Sequence, residues 1–259
     1  MMHSSSTVWR WLWLCLLFCS ILVAKPVLAG DPVDTDMDGI PNDWETVVYK
    51  TDPLKVDTDG DIFDDRTEIA NGFDPLKKGN KYLLKQSDFD KDGLTDRLEL
   101  LFRTDPTNVD TNGDGLNDGT SVNDGISPTS TTKVVMQKTI VINLAKQRLE
   151  PRLAGIALDS YSVSTGSWKT PTPPGTYAVM DKIPKAWSNA SKLWMPWWMK
   201  FSNKGMGIHE LPVWPSGARE GAWNLGRPVS HGCVRLGIGN AKKMYDWTPV
   251  GTPVIIVKK

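Results

Sequence analysis

The hexapeptide SHGCVR at residues 230–235 holds the only cysteine of the chain outside its first 29 residues. Outside that segment the histidines are His209 and His231, so every remaining thiol and imidazole lies within residues 209–233. A nucleophilic cysteine needs a nearby base or positive charge to raise its thiolate fraction. The spacing therefore predicts Cys233 as a nucleophile with a histidine, His209 or His231, as its base.

The residues around Cys233 suggest how such a site would work. The backbone amides of Gly232 and Cys233 are candidate oxyanion donors, because glycine lets the main chain approach a reacting carbonyl. Arg235 has two interpretations, a bidentate contact to a substrate carboxylate or a local ion pair that braces the loop. Ser230 is placed beside the substrate, where we expect it to support the loop rather than react. No metal is expected in catalysis, since two histidines and one cysteine lack the usual pattern of a zinc site.

The first 29 residues resemble a secretory signal. One cation, Arg10, precedes an apolar run over residues 11–24, and Val27 and Ala29 are the small residues expected before a cleavage site. The 14-residue run is short against the roughly 20 residues that span a bilayer. We therefore expect export to the periplasm, cell wall or medium, with membrane attachment only if the segment stays uncleaved.

The rest of the chain divides by charge. Residues 31–126 carry 24 Asp/Glu against 10 Lys/Arg, whereas residues 127–259 carry 6 against 18. A polar, proline-containing stretch lies between them. We predict acidic repeats over 30–126, a linker over 127–134 and a second domain over 135–259, with an anionic cell wall rather than nucleic acid as the expected partner.

The acidic half contains four copies of a twelve-position loop with oxygen-bearing residues at positions 1, 3, 5, 9 and 12, the spacing of calcium loops. In the second copy Ile62 stands where glycine is usual, and in the fourth Ser121 replaces the glutamate, so a ligand such as Asp124 is expected to be borrowed there. The predicted ligands are Asp34, Asp36, Asp38, Asn42 and Glu45; Asp57, Asp59, Asp61, Asp65 and Glu68; Asp88, Asp90, Asp92, Asp96 and Glu99; and Asp110, Asn112, Asp114 and Asp118.

Loops of this pattern, joined in pairs by Thr-Asp-Pro at residues 51–53 and 104–106, resemble the bacterial thrombospondin type 3-like calcium repeats. The resemblance implies structural Ca²⁺ and a calcium-stiffened spacer. The alternative is a solvated acidic linker. With calcium we expect a compact segment, and without it a loose one.

The basic half is predicted to be mainly β, a small sandwich or barrel-like sheet. The expected strands are 138–144, 156–164, 175–181, 193–201, 205–210, 233–236 and 253–258, with one helix from about Asn240 to Trp247. Short helical turns are expected in the acidic half.

With His209, the SHGCVR motif, Ser164-Thr165-Gly166 and the turn Thr172-Pro-Pro-Gly-Thr-Tyr177, residues 135–258 resemble the L,D-transpeptidase catalytic domain of the YkuD family. The resemblance implies a β-rich sandwich whose cysteine attacks the peptide bond before a terminal D-alanine in a peptidoglycan stem peptide. The acyl-enzyme is then resolved by an amine of a second stem. It also implies that His209 is the general base and that His231 lines the site.

Two features depart from the family pattern. Twenty residues separate His209 from Ser230, more than the family's usual 14 to 17, and Glu210 follows the base where glycine or serine is common. A backbone carbonyl at 210 could orient His209; a side-chain carboxylate would instead raise the imidazole pKa.

In the aromatic run 194–201, alternation predicts one inward and one outward set. We expect Trp198 and Tyr177 to contact substrate.

Three functions remain open on the sequence: transpeptidation of tetrapeptide stems, hydrolysis of the same acyl-enzyme by an L,D-carboxypeptidase, and calcium-dependent wall binding without catalysis. The intact Cys233 and His209 favour an enzyme.

Overall fold

Each acidic loop leads directly into a short helix, because loop carboxylates accept hydrogen bonds from the amides that follow them and turn the chain. A computed structural model describes residues 32–258, so the predicted signal segment lies outside the described residues. The helices of this half are Asn42–Trp44 (α1, continued by a π-helical turn Glu45–Tyr49), Asp65–Asn71 (α2), Asp96–Phe102 (α3) and Asp118–Asp124 (α4).

All four turns end on a residue in the left-handed conformation, which lets the chain reverse after one or two helical turns. Glycine occupies this position after α2 and α4, at Gly72 and Gly125, whereas Lys50 and Arg103 take it after the π-helical turn and α3. Positions that need a left-handed backbone but lack glycine carry a conformational cost.

Apolar residues of the repeats form two small clusters. Ile40, Tyr49, Ile69 and Leu100 pack together, and the Tyr49 hydroxyl donates to the Asp96 carbonyl at 2.8 Å. The second cluster joins Leu94, Leu98, Phe102 and Val122 to Leu153 of the basic half. From Val33 onward the described chain forms one compact unit. The repeats therefore pack against the basic half.

The basic half is a curled sheet of ten strands with two short helical segments between strands. The strands are Lys138–Asn143 (β1), Arg148–Leu153 (β2), Ile156–Ala157 (β3), Tyr161–Ser164 (β4), Gly175–Ala178 (β5), Asp181–Ser188 (β6), Leu193–Lys200 (β7), Gly207–Glu210 (β8), Val234–Leu236 (β9) and Pro253–Val257 (β10). A 3₁₀ turn Ala222–Asn224 and helix α5, Asn240–Trp247, complete it. The strand order is β5-β10-β1-β2-β4-β9-β8-β7-β6, with β3 on β2.

Only β1 with β10 and β8 with β9 pair in parallel, and the remaining pairs are antiparallel. The main core lies between the curled sheet and α5 and contains Ile140, Ile142, Met199, Ile208 and Met244, each at most 1% exposed. None of the helices within residues 32–258 is both long and apolar enough to cross a membrane.

The mainly β prediction for the basic half is confirmed, and α5 begins at Asn240 with Gly239 as its N-cap. Two strands were missed. β2 contains Pro151, and β6 contains Pro184 among mostly exposed residues. Proline argues against a strand unless the strand is at a sheet edge, and β6 is such an edge strand.

The predicted linker, 127–134, folds back on itself. Ser127 N donates to Val134 O at 2.9 Å, and Asn112 Nδ2 donates to Ser130 O at 2.8 Å. This loop therefore joins the fourth acidic loop to the sheet by a short, hydrogen-bonded path.

Candidate active site and calcium loops

Of the two predicted catalytic residues, His209 lies on β8 and Cys233 immediately precedes the neighbouring strand β9. Strands β8 and β9 are parallel, and their register pairs His209 with Arg235 and Ile208 with Val234. Side chains alternate between faces along a strand, so Cys233, two residues before Arg235, faces the same side as Arg235 and His209. The fold thus brings the thiol, an imidazole and a guanidinium to one face.

His209 is almost fully enclosed, with 2% of its surface exposed. Its Nδ1 lies 2.6 Å from the backbone carbonyl oxygen of Glu210, which fixes the proton on Nδ1 and leaves Nε2 as the basic nitrogen. Burial lowers the pKa of His209 from 6.5 to about 4, the Glu210 carbonyl opposes this, and the Arg235 charge adds to it. At neutral pH His209 is therefore an uncharged base.

Cys233 is partly buried against Leu193, Met195 and Trp198. Burial raises the pKa of the thiol, while a hydrogen bond from the Gly207 amide and the charge of Arg235 favour the thiolate. The thiol is thus protonated at rest and requires the neighbouring base to remove its proton. This arrangement suits general-base activation rather than a preformed ion pair.

The motif loop is held by hydrogen bonds from Ser230. The Ser230 hydroxyl donates to Cys233 O at 2.5 Å and accepts from the Gly232 amide at 3.1 Å. Its backbone amide donates to Thr165 O at 2.9 Å. Ser230 is 1% exposed, so its position is a supporting one, and the Gly232 amide predicted as an oxyanion donor is already bonded to it.

The Ser-Thr-Gly and Thr-Pro-Pro-Gly segments support the same loop. The Thr172 hydroxyl donates to Gly232 O at 2.9 Å and accepts from Gly166 N at 2.8 Å. A Cβ at Gly166 would lie 2.2 Å from Thr170 O, so only glycine fits there. Gly232 has φ +109°, which also favours glycine.

Arg235 pairs within the protein. Its Nη1 donates to Glu220 Oε1 at 2.8 Å, and both side chains are about nine-tenths buried, at 10% and 11% exposed. Of the two sequence interpretations, the local ion pair is the one found in the structure. The carboxylate of Glu210 likewise turns away from His209, accepting from Arg219 Nη1 and, at 3.0 Å, from the Gly239 amide.

The other predicted contact residues differ in exposure. His231, the second residue of the motif, is exposed. Trp198 is 7% exposed, packs against Cys233 and lies with its ring centroid 5.7 Å from that of His209. Tyr177 packs edge-on against Phe201 in the main core, and its hydroxyl donates to Pro173 O at 3.2 Å.

The aromatic strand does not alternate throughout. Leu193 and Met195 share the face that packs on Cys233, but Trp197 has a left-handed backbone, φ +56°, and the next residue on that face is Trp198. Trp197 instead packs 5.5 Å from Tyr245 of α5. Because Trp197 has this backbone conformation, Trp198 packs beside Cys233 while Trp197 packs against the main core.

The four acidic loops share one hydrogen-bonded framework. The position-1 carboxylate accepts from the position-6 amide in every loop, at 3.0 Å for Asp34, 2.7 Å for Asp57, 3.1 Å for Asp88 and 2.9 Å for Asp110. Position 6 has a left-handed backbone throughout, including Ile62 with φ +82°. The second loop therefore keeps the geometry of the others without its glycine.

The position-9 residues bind backbone within their own loops. Asn42, Asp65, Asp96 and Asp118 accept hydrogen bonds from the position-2 amides at 2.9, 3.0, 2.8 and 3.3 Å. Asp65 also lies with Asp38 and Glu45 of the preceding loop, where one oxygen of each falls within 4.8 Å of the others. Asp65 thus lies close to the first loop as well as bonding within its own, and the predicted ligand role of these four residues stays a prediction.

The position-12 glutamates test whether the loops fit a cation. Glu45, Glu68 and Glu99 are 0–3% exposed, and within residues 32–258 no protein group hydrogen-bonds to Glu45 Oε2, Glu68 Oε2 or either Glu99 oxygen. Burial is the main cause that raises the pKa of these glutamates, to about 7 for Glu45, about 7 for Glu68 and about 9 for Glu99. Repulsion from neighbouring carboxylates is the second cause for Glu68 and Glu99. Buried carboxylates aimed at other carboxylates fit a divalent cation.

The fourth loop is the weakest fit. Ser121 is 1% exposed, and its hydroxyl has no hydrogen-bond partner within the described chain. Asp124, the proposed substitute, is exposed at the end of α4. Carboxylate triads within 4.8 Å occur at Asp34/Asp36/Asp38, Asp57/Asp59/Asp61 and Asp88/Asp90/Asp92 among the described residues.

Comparisons with known proteins agree with the geometry around Cys233. The family model of YkuD, the L,D-transpeptidase catalytic domain, matches residues 137–256. Residues 137–256 are thus similar to an L,D-transpeptidase catalytic domain. No curated protein matches the chain.

Solved structures similar to the chain are L,D-transpeptidases. That from Mycobacterium smegmatis is 23% identical (TM-score 0.42), covering 49% of this chain and 64% of its own. One from Mycobacterium tuberculosis H37Rv is 20% identical (TM-score 0.41; 49% and 62%), and one from Stackebrandtia nassauensis is 29% identical (TM-score 0.40; 48% and 56%). The chain thus spans 56–64% of the length of these three structures.

Sequence reasoning missed Arg219 and Glu220, which lie in the loop between the base and the motif. Nothing in the local pattern separates them from solvent-exposed charges. One signal could have indicated them. Arg219 and Glu220 are adjacent residues of opposite charge, and they lie between two predicted strands that each carry one charged residue, Glu210 and Arg235.

Proposed function

We propose that the chain is an exported L,D-transpeptidase that cross-links or remodels peptidoglycan through a thioester on Cys233. The observation that carries the proposal is the placement of Cys233 and His209 on one face of adjacent strands within a segment that matches the family model over residues 137–256. The buried, uncharged His209 beside a protonated thiol supports it.

The reaction follows from these positions. His209 Nε2 takes the thiol proton as Sγ attacks the carbonyl of the bond before a terminal D-alanine, and the Cys233 amide stabilises the oxyanion. His209 then gives the proton to the departing D-alanine amine as the C–N bond breaks. An acceptor amine attacks the thioester and loses its proton to His209, which returns it to the leaving thiolate.

The apolar surroundings of the thiol favour an amine over water as the acceptor. Leu193, Met195 and Trp198 cover one side of Cys233, and each is at most 9% exposed. Excluding water preserves a reactive acyl intermediate.

Incubating the chain with tetrapeptide-bearing muropeptides and measuring product masses tests the proposal. Dimers with loss of D-alanine support transpeptidation; tripeptides without dimers would assign a carboxypeptidase. Absence of both, with binding to purified wall, would leave a binding module. The control is Cys233→Ala, which should fold but give neither product.

We also propose that the acidic loops bind Ca²⁺ as structural ions. The residues that would hold it are the carboxylates at positions 1, 3 and 5 of the first three loops and the buried glutamates Glu45, Glu68 and Glu99. Calcium would neutralise the negative charge of the clustered carboxylates. It takes no part in the proposed catalytic steps. Calorimetric titration should show at least three sites, with Glu45→Gln and Glu99→Gln each weakening one.

A further inference from the structure

Resting on the proposed function, we infer that Glu210 and Arg219 are positioning residues of the reaction, part of two crossed ion pairs that latch the loop 211–229 onto the strands carrying His209 and Cys233. The latch consists of Arg219 with Glu210 and Glu220 with Arg235.

The loop carries a positive and a negative residue in sequence, Arg219 and Glu220, opposite Glu210 on β8 and Arg235 on β9. Val213 bridges to both Trp194 of β7 and Arg219, and Glu220 N donates to Pro212 O at 2.9 Å, so the chain reverses direction between residues 213 and 219. The consecutive residues Arg219 and Glu220 then meet opposite charges on two adjacent strands.

The latch is buried where it joins the site. Side-chain exposure is 5% for Glu210, 10% for Arg235, 11% for Glu220 and 35% for Arg219. A buried charge that loses its partner is strongly unfavourable, so each pair holds the loop in one geometry. Asn224 Nδ2 adds a further contact to Glu220 Oε1 at 2.7 Å.

Glu210 links this latch to the base. One oxygen of its carboxylate accepts from Arg219 and the other from Gly239 at the start of α5, while its own carbonyl accepts from His209 Nδ1 at 2.6 Å. The residue is therefore fixed at three points, and a carbonyl that moves with it would reorient the imidazole. Small displacements of a catalytic group can cost about 10²-fold in rate.

Arg235 links the second pair to the nucleophile. It sits opposite His209 in the β8–β9 register and two residues after Cys233, and its charge acts on both groups. Glu220 holds that guanidinium in place. The longer loop between base and motif thus sets the geometry of both reacting residues.

Glu210→Gln, Arg219→Gln, Arg219→Lys and the double variant Glu210→Gln/Arg219→Gln test the inference. The readouts are the rate and pH profile of Cys233 alkylation by iodoacetamide, which needs no peptidoglycan, and kcat and KM on tetrapeptide muropeptides. The control, Arg152→Gln, removes a partly exposed ion pair with Glu150 on β2.

Both Gln variants should slow alkylation and kcat about tenfold or more, shift the alkylation pH profile and leave KM within about threefold. The double variant should be no slower than the slower single one, and Arg219→Lys should recover part of the rate. Should Glu210→Gln fail to fold, the more exposed Arg219 still decides.

Alkylation within about twofold of wild type, with an unshifted pH profile, in folded Arg219→Gln would overturn the latch. So would a loss equal to that of Arg152→Gln. If the wild type does not act on tetrapeptides, the proposed function fails, but the alkylation profiles still decide the latch.

Discussion

Replacing Glu99 by glutamine should change stability in opposite directions with and without calcium. Glu99 is fully buried in the third acidic loop, both of its oxygens lack a hydrogen-bond partner within the described chain, and its pKa is raised to about 9. Without a cation the carboxyl must be protonated for the loop to fold at neutral pH.

The size follows from the difference between folded and unfolded chains. An unfolded glutamate of pKa 4.5 is ionised at pH 7. Protonating it there costs about 3 kcal/mol, at 1.36 kcal/mol per pH unit. Solvent near the loop lowers this to about 1–3 kcal/mol. A raised folded pKa gives stability that is present below pH 4.5 and lost as pH rises towards 9.

Urea unfolding followed by tryptophan fluorescence measures the effect. In chelator at pH 7, Glu99→Gln should be more stable than wild type by about 1–3 kcal/mol, and at pH 5 by less than about 1 kcal/mol. In millimolar calcium the order should reverse, because the variant loses a charged ligand that binds only the folded chain.

The matched control is Asp43→Asn, an exposed acidic residue in the same half of the chain. It should shift stability by less than about 0.5 kcal/mol in every condition. A Glu99→Gln effect of the same sign with calcium and with chelator would refute the idea that this carboxylate faces a cation.

Three further outcomes are expected. Ile62→Gly should stabilise the protein by about 1 kcal/mol in calcium, because Ile62 is 90% exposed with φ +82°, and an unchanged urea midpoint would contradict this. Leu153→Ala should cost about 2–5 kcal/mol and uncouple unfolding of the repeats from that of the sheet, seen as a second calorimetric transition. Since His209 must be uncharged, kcat/KM should fall as pH drops through about 4 and not near 6.5, the ordinary histidine pKa.

The candidate reacting residues could be chosen from the sequence because the pattern that marks them is local. Cys233 and His209 are rare residue types in a short window, and each lies in or next to a short strand. The loop geometry was also local: short carboxylates bond to amides two to five residues on.

What could not be predicted depends on contacts distant in sequence. The pairing of Arg235 with Glu220 was one of two alternatives until the loop between them was placed. Asp65 was assigned to its own loop, and only the packing of two loops brings it to Glu45. The inward and outward alternation of β7 shifts at Trp197 because this residue has a left-handed backbone, which its residue type does not predict.

Lys138, at the start of β1, has a consequence for how the two halves can be inherited. Its ammonium donates to Asn123 O at the end of α4 and to Trp247 O at the end of α5, at 2.8 and 3.2 Å, and lies 4.8 Å from the Trp247 ring. A fragment starting at residue 135 would lose the first bond and expose Leu153 to water. Such a fragment should be poorly soluble, so recombination that transfers the enzyme without its repeats should be selected against.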